Sequence, residues 1–260
     1  MYNNYSANIN VMIGAVRKAS RRLVRDFGEI SKLQTSKKGT ENFASITALN
    51  LEKIIIEELK KARPSYNIIL NNRRIINDEK TEFQWVINAI DGKENFLRAS
   101  PFFCIALALE KTSNDSVETI ASVIEVPILG ETYWAEKKQG AWLENHLGTT
   151  IGRHKLRVSN KESLDSSILA TSMVEKFISN KASDFIAHNL LVRVTGSSVL
   201  NLAYIASGRY DIIVESQDLS CIQAGSLLVG EAGGECFKLK HNVIATNRIL
   251  YKNFESIIVK

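Results

Sequence analysis

Short apolar segments bounded by polar or turn-forming residues dominate the first half of the chain, and they constrain its fold more than any other feature. Four of them follow one another, at 66–70, 83–90, 102–109 and 119–126. Segments of this length and composition are typical of buried β-strands. A β-hairpin is predicted next, with strands at 131–137 and 141–144 on either side of Lys138-Gln139-Gly140. The first half therefore predicts a sheet of at least four strands.

The second half alternates between predicted strands and helices. We expect strands at 167–171, 191–194 and 210–214, and helices at 174–189, 198–207, 221–232 and 248–258. Two helices precede the first strand, one with an apolar stripe that ends near Gly28 and one at about 49–62, before Pro64. No repeat or long linker interrupts the pattern. We therefore expect one α+β domain over 1–260, built from stacked layers, with lobes at about 1–145 and 146–260.

The composition excludes several classes of protein. A chain of 260 residues that is 45% hydrophobic can bury a core without disulfides, and its three cysteines show no metal-ligand spacing. The first residues lack the pattern of an export signal, and no run of about 18 apolar residues occurs. We expect a cytoplasmic protein with reduced thiols and no membrane insertion.

Basic residues are in modest excess, with a formal net charge of +5. The densest run lies on the first predicted helix and comprises Arg17, Lys18, Arg21, Arg22 and Arg25. Such a run is either a solvated helix face or a patch for nucleic acid. Because no aromatic residues are interleaved with these charges, the solvated face is the favoured interpretation.

Three longer motifs carry the functional signal: WVINAIDGKENF at 85–96, GSSVLNLAYIASGRYD at 196–211 and AGSLLVGEAGG at 224–234. The first resembles the central motif of the inositol monophosphatase family, approximately W-[IV]-[IV]-D-P-[IL]-D-G-T-x-N-F. The other two resemble a later helix and the carboxy-terminal Ala-Gly segment of the same family. The order and spacing also match, and the similarity is greatest to the bacterial SuhB-type branch.

The resemblance implies a layered αβαβα sandwich and a Mg²⁺-dependent hydrolase of inositol or sugar monophosphates. In that chemistry, Mg²⁺ ions held by carboxylates activate a water molecule and neutralise charge on the phosphate. The family's metal positions fall on Asn71, Asn88, Ile90, Asp91 and Cys221. The resemblance places catalytic roles on Asp91 and Lys93.

Ligand contacts also follow from the resemblance. A main-chain nest for the phosphate would lie at Gly92 and Lys93. The substrate-binding positions are Gly196, Ser197, Ser198 and Glu215. Turn and capping chemistry would account for these side chains equally well without a ligand.

Most of the carboxylates that would hold the metals are replaced. The first Glu of the family aligns with Asn71, its first Asp with Asn88 and its last Asp with Cys221, so that Asp91 is the acidic residue that remains. The Thr that would orient the attacking water is Lys93. At an effective dielectric constant near 20, each missing charge pair about 4 Å apart forfeits roughly 4 kcal/mol. We therefore expect Mg²⁺ binding and catalysis to be impaired.

Two questions about the altered site stay open in the sequence. Asp218 or Glu94 could replace a lost carboxylate, or each could be an ordinary solvated group near a helix start. Lys93 could substitute for the lost cation by an ion pair with Asp91, or it could extend into solvent.

Two functions are compatible with these observations. The first is a phosphatase of a small phosphorylated polyol or sugar whose activity is weak or lost. The second is a non-catalytic regulator, for which the SuhB-type resemblance implies a role with RNA polymerase in antitermination of ribosomal RNA transcription. Members of the family are commonly dimers, so we also expect a homodimer.

Overall fold

A computed structural model describes residues 5–30, 32, 37–71, 73–76, 80–113, 116–146, 152–173, 180–216, 221–239 and 241–258. The helices in these segments are α1 Ala7–Ile30, α2 Lys37–Ala62, α3 Lys93–Leu97, α4 Ala182–Ala187, α5 Ser198–Ala206, α6 Ile222–Glu231 and α7 Arg248–Ile258. The strands are β1 Asn67–Leu70, β2 Arg73–Ile76, β3 Phe83–Asp91, β4 Cys104–Ser113, β5 Ser116–Val126, β6 Glu131–Glu136, β7 Gly140–Asn145, β8 Gly152–Lys155, β9 Ile168–Thr171, β10 Leu191–Val194, β11 Ile212–Ser216, β12 Glu235–Leu239 and β13 Asn242–Thr246.

The strands form two sheets. The first has the order β2-β1-β3-β4-β5-β6-β7-β8 and the second the order β10-β9-β11-β13-β12. In the first sheet β1 and β3 are parallel, whereas the meander from β3 to β8 is antiparallel. In the second sheet β9, β10 and β11 are parallel, and β12 and β13 form an antiparallel pair at one edge.

Alternation along β4 shows how the layers are stacked. Ile105 and Leu107 face a core shared with α1 and α2, whereas Ala106 and Ala108 face a second core shared with α5 and α6. A third core, on the outer face of the second sheet, is built by α4 and α7. Successive residues of a strand point to opposite faces, so both faces of β4 are covered by helices. The order helix, sheet, helix, sheet, helix confirms the predicted α+β sandwich.

Most of the predicted elements are confirmed, often within two residues of their expected ends. The hairpin is formed by β6 and β7, and the predictions at 191–194 and 248–258 coincide with β10 and α7. Of the helix predicted at 174–189, the described part is α4, and 174–179 lies outside the described residues.

The start of α2 and four strands differ from the predictions. The helix α2 begins at Lys37, 12 residues before the expected 49. The prediction missed these first turns because they carry no clear apolar stripe. The strands β2, β8, β12 and β13 were not predicted. In β2 and β8, arginine, lysine and histidine occupy half or more of the positions, and pairing with neighbouring strands makes these two segments extended.

The basic residues of α1 are largely engaged within the molecule. Arg17 forms an ion pair with Glu144, Lys18 with Glu58, and Arg22 with the buried Asp26. These contacts support an intramolecular role for the run of charges rather than a nucleic-acid patch on α1. None of the described helices is long and apolar enough to cross a membrane.

Candidate functional site

Asp91 is the last residue of β3, and Gly92 turns the chain directly into α3. Gly92 has φ 83°, a left-handed conformation that glycine adopts without strain. A Cβ atom at this position would lie 2.8 Å from the carbonyl oxygen of Phe102 and 3.0 Å from Cβ of Ser197. Glycine therefore permits both the turn and the close approach that brings Asp91 to the start of α5.

The carboxylate of Asp91 is held by the amino terminus of α5. Its Oδ2 accepts hydrogen bonds from the Ser197 hydroxyl and from the backbone N–H of Val199, the latter at 3.0 Å. Its Oδ1 accepts from the Ser198 hydroxyl at 3.2 Å. The first N–H groups of a helix have no partner within the helix and carry partial positive charge. Asp91 thus caps α5 from another part of the chain.

Burial affects the protonation of Asp91. It raises the pKa of the carboxyl, while the hydrogen bonds from Ser197, Val199 and Ser198 lower it. The thiol of Cys104, 4.0 Å from Oδ2, has a pKa well above its usual value because of burial and because the Asp91 charge is close. No thiolate is therefore expected beside the carboxylate at neutral pH.

A second buried carboxyl, Glu215, lies in the same polar cluster. The hydroxyl of Ser172 donates to its Oε2 at 2.6 Å, and the side-chain amide of Asn201 donates to its Oε1 at 2.8 Å. The pKa of Glu215 is raised to about 7, chiefly by burial and also by the charge of Asp91, against the lowering effect of its hydrogen bonds. At neutral pH Glu215 is therefore protonated in a large fraction of molecules.

The other predicted metal positions are engaged in different contacts. The amide of Asn71 donates to Glu52 of α2 at 3.1 Å, and Asn71 itself is exposed. Cys221 precedes α6, is fully buried and directs its thiol at the carbonyl oxygen of Val86, 3.4 Å away. Asn88 is buried within β3, and Ile90 packs against the core shared with α1 and α2.

These residues do not fit Mg²⁺. In the described part of the chain no three His, Cys, Asp or Glu side chains are grouped so that they could hold a metal ion. Asp91 already accepts three hydrogen bonds, Asn71 and Asn88 are neutral, and burial raises the pKa of the Cys221 thiol. Mg²⁺ prefers carboxylate and phosphate oxygens and sheds its water reluctantly. The side chains here are better suited to accepting hydrogen bonds than to neutralising a dication.

Of the two alternatives left open for Lys93, the structure shows the lysine in solvent and not the ion pair with Asp91. Both residues are described, Lys93 is exposed, and no ion pair within 4.0 Å joins them. The helix α5, not an ammonium group, takes the place of the cation. Glu94 is also exposed, on the first turn of α3, and Asp218 lies outside the described residues. The phosphate-binding role of Gly92 and Lys93 stays a prediction.

The predicted substrate-binding residues converge on this cluster. Ser197 and Ser198 contact Asp91, and Glu215 is linked to α5 through Asn201. Gly196 has φ 81°, and a Cβ there would lie 2.8 Å from Nδ2 of Asn95. Nδ2 of Asn95 in turn donates to the carbonyl oxygens of Phe102 and Thr195. The two glycine turns therefore pack against each other.

Sequence reasoning missed three residues that build the cluster. Asn201 lies in the motif at 196–211, but nothing in the pattern assigns it a role, although its amide contacts both Glu215 and Thr195. Ser172 follows a predicted strand and has no distinguishing pattern. For Cys104 the sequence indicates only a reduced thiol. Their proximity to Asp91 and Glu215 depends on contacts between residues far apart in the chain.

Comparisons with known proteins agree with the motifs. The model of the "Inositol monophosphatase family" matches residues 4–259. The chain is 35% identical to the "Inositol-1-monophosphatase" of Mesorhizobium japonicum, over 88% of this chain and 84% of that protein. It is 30% identical to the "Nus factor SuhB" of Escherichia coli strain K12, over 94% of this chain and 91% of that protein. A crystal structure of extragenic suppressor protein suhB from Bartonella henselae superposes with a TM-score of 0.80 at 32% identity, covering 98% of this chain and all of that one (100%).

Proposed function

Because the chain belongs to the inositol monophosphatase family, we propose that it keeps the family fold but has lost Mg²⁺-dependent hydrolysis of phosphomonoesters, and that it acts as a non-catalytic member. The observation that carries this proposal is the contact between Asp91 and the start of α5. The one acidic residue left among the aligned metal positions already accepts hydrogen bonds from Ser197, Ser198 and Val199.

Electrostatics around Asp91 supports the loss of hydrolysis. A phosphomonoester dianion approaching this cluster meets the carboxylate of Asp91, whereas Glu215 is protonated in a large fraction of molecules. Among the described residues no group of His, Cys, Asp and Glu side chains could hold a compensating metal ion. Two unit charges of like sign 4 Å apart repel by about 4 kcal/mol at an effective dielectric constant of 20. The side chains of Asn71 and Asn88 are neutral and do not reduce this repulsion. The cluster suits hydroxyl groups better than phosphates.

A regulatory role with the transcription machinery is the second candidate. Its support is the similarity to the Nus factor SuhB of E. coli over nearly the whole chain. In this proposal the protein is cytoplasmic and its partner is RNA polymerase with associated factors. Biolayer interferometry with purified RNA polymerase checks it, and the absence of binding at micromolar concentration would reject this role.

A homodimer is proposed from the edge of the second sheet. The strand β10 is the terminal strand in the order of that sheet, and all four of its residues are exposed. Leu191, Val192 and Val194 are 39%, 37% and 53% exposed, and Ile186 nearby in sequence is 79% exposed. An exposed apolar edge strand is a template for pairing with another chain. Light scattering should give the dimer mass, and Val194→Lys should give the monomer; a monomeric wild type would reject the proposal.

Phosphate release tests the loss of hydrolysis directly. Purified protein is incubated with inositol 1-phosphate and a panel of sugar monophosphates, with and without Mg²⁺. We expect release close to the protein-free rate under both conditions. Turnover that requires Mg²⁺ and disappears in Asp91→Asn would overturn the proposal.

A restored variant provides the matched control. Asn71→Glu, Asn88→Asp, Lys93→Thr and Cys221→Asp together return the carboxylates and the threonine that the family pattern expects. We expect this variant to bind Mg²⁺ more tightly by calorimetry than the wild type, since four carboxylates can offset two divalent charges. If neither the wild type nor the restored variant gave a detectable heat with Mg²⁺, the backbone at these positions would also have changed.

A further inference from the structure

The far edge of the first sheet presents aromatic and basic side chains on one face. Trp134 of β6 lies opposite Trp142 of β7, and Trp142 lies opposite Lys155 of β8. The two indole rings are stacked, with centroids 6.5 Å apart and planes 14° from parallel. Tyr5 meets Trp134 edge-on at 5.3 Å. We call this set, together with Arg153, the aromatic–basic face.

Arg153 lies among the three rings of this face. Its guanidinium carbon is 4.6 Å from the ring centroid of Trp134, 5.2 Å from that of Trp142 and 5.0 Å from that of Tyr5. The ammonium of Lys155 is 6.0 Å from the Trp142 centroid. Cation–π contacts of this kind hold the cations in place without neutralising them. Arg153 and Lys155 both stay exposed.

Charge on this face is poorly compensated. Neither Arg153 nor Lys155 forms an ion pair with any described residue. Glu144, opposite Arg153 in the ladder, is buried, and its carboxylate is occupied by Tyr5 and Arg17. A cavity of about 350 Å³ adjoins this face, and Glu136 is the acidic residue among those that line it. The exposed Arg157 follows the edge strand.

We infer that the aromatic–basic face binds single-stranded nucleic acid. Phosphates would contact Arg153 and Lys155, and bases would stack on the part-exposed Trp142 and on the outer side of the Arg153 guanidinium. Interleaved cations and aromatic rings are the usual means of holding single strands, because every base offers a π-face and every nucleotide a charge. The basic run on α1 has no interleaved aromatic rings, and four of its five cations, all but Arg21, form ion pairs within the molecule. The inference uses none of the residues around Asp91 and is independent of the loss of hydrolysis.

Fluorescence anisotropy with a labelled twelve-nucleotide oligouridylate tests the inference. We expect wild type to bind with Kd of about 10 µM at 100 mM salt, typical of sequence-independent contacts. The double variant Arg153→Ala/Lys155→Ala should weaken binding about tenfold or more. It should also reduce the slope of log Kd against log salt by roughly 1.4, at about 0.7 for each phosphate that the variant no longer neutralises.

Substitutions of the ring separate stacking from charge. Trp142→Leu should weaken binding about fivefold or more and leave the salt slope unchanged, whereas Trp142→Phe should keep most of the affinity. Thermal melts of each variant establish that it is folded. The matched control Lys53→Ala/Lys60→Ala removes two exposed charges from α2, and it should change Kd less than twofold.

Three results would overturn the inference. They are no binding of oligouridylate at 50 mM salt, an equal loss of affinity in the Lys53→Ala/Lys60→Ala control, and a folded Trp142→Leu variant with wild-type affinity. Equal loss in the control or wild-type affinity of Trp142→Leu would mean that binding depends only on net charge. In that case heparin would compete for the protein as well as an unlabelled single strand does. We expect duplex DNA to compete more weakly than a single strand of equal length.

Discussion

Replacement of Asp91 by alanine should destabilise the protein even though no metal is lost. Alanine removes the acceptors for the Ser197 and Ser198 hydroxyls and for the Val199 N–H. The hydroxyls can reorient, but the backbone N–H cannot, and a buried donor without a partner costs about 1–3 kcal/mol. Loss of a carboxylate at a helix amino terminus adds about 0.3–1 kcal/mol. We expect the free energy of unfolding of Asp91→Ala to fall by about 3 kcal/mol.

Replacement of Asp91 by asparagine should destabilise the protein less than replacement by alanine. The single carbonyl oxygen of the asparagine can still accept a hydrogen bond from the Val199 N–H. The asparagine is also uncharged, so the burial that raises the pKa of Asp91 no longer costs free energy. We therefore expect a smaller loss, about 1 kcal/mol. Urea denaturation followed by circular dichroism measures both variants. In a chain of this size each kcal/mol corresponds to about 2–4 °C in Tm.

Addition of Mg²⁺ distinguishes capping from metal binding. A cation that binds the native state raises Tm, so 10 mM Mg²⁺ should leave the melts of wild type and Asp91→Ala unchanged. Ser198→Ala should be partly non-additive with Asp91→Asn, because both changes remove the same hydrogen bond. An Asp91→Ala variant as stable as wild type would refute the capping argument, and a Mg²⁺-dependent rise in Tm that Asp91→Ala abolishes would restore a metal site.

Two further predictions concern the buried carboxyl of Glu215 and the space around glycines in helices. The pKa of Glu215 is about 7 in the folded protein and 4.5 in the reference state, so the native state binds the extra proton and stability is lost as pH rises from about 4.5 through 7. Glu215→Gln should therefore flatten the pH dependence measured by urea denaturation, with a gain over wild type of up to about 3 kcal/mol at pH 8; an unchanged pH profile would contradict this assignment. Gly225→Ala should cost about 1–3 kcal/mol because its Cβ would lie 2.5 Å from Cβ of Leu202. Gly14→Ala, with nothing within 4 Å, should instead stabilise α1 by about 0.5–1 kcal/mol, and equal effects of the two substitutions on Tm would refute the packing argument.

Local patterns account for the elements that the sequence predicted well. The strand β10 and the helix α7 coincide with their predictions because their periodicity and length are properties of the segment itself. The first two motifs likewise located Asp91, Ser197 and Ser198 of the candidate site, and the family resemblance added Glu215 at the end of the following strand. The strands β8 and β12 escaped prediction because their extended form depends on hydrogen bonds to β7 and β13.

The sequence by itself determined the family, the layered fold and the absence of three of the four expected metal carboxylates. Only the tertiary structure decided what replaces the cation beside Asp91. The sequence left open whether Lys93, two residues away, pairs with Asp91 or extends into solvent. In the structure the lysine is exposed, and the donors come from residues 106–108 positions further along the chain. The physical reason is that Gly92 allows β3 to reach the amino terminus of α5, whose unpaired N–H groups offer an anion fixed donors that a flexible ammonium in water does not.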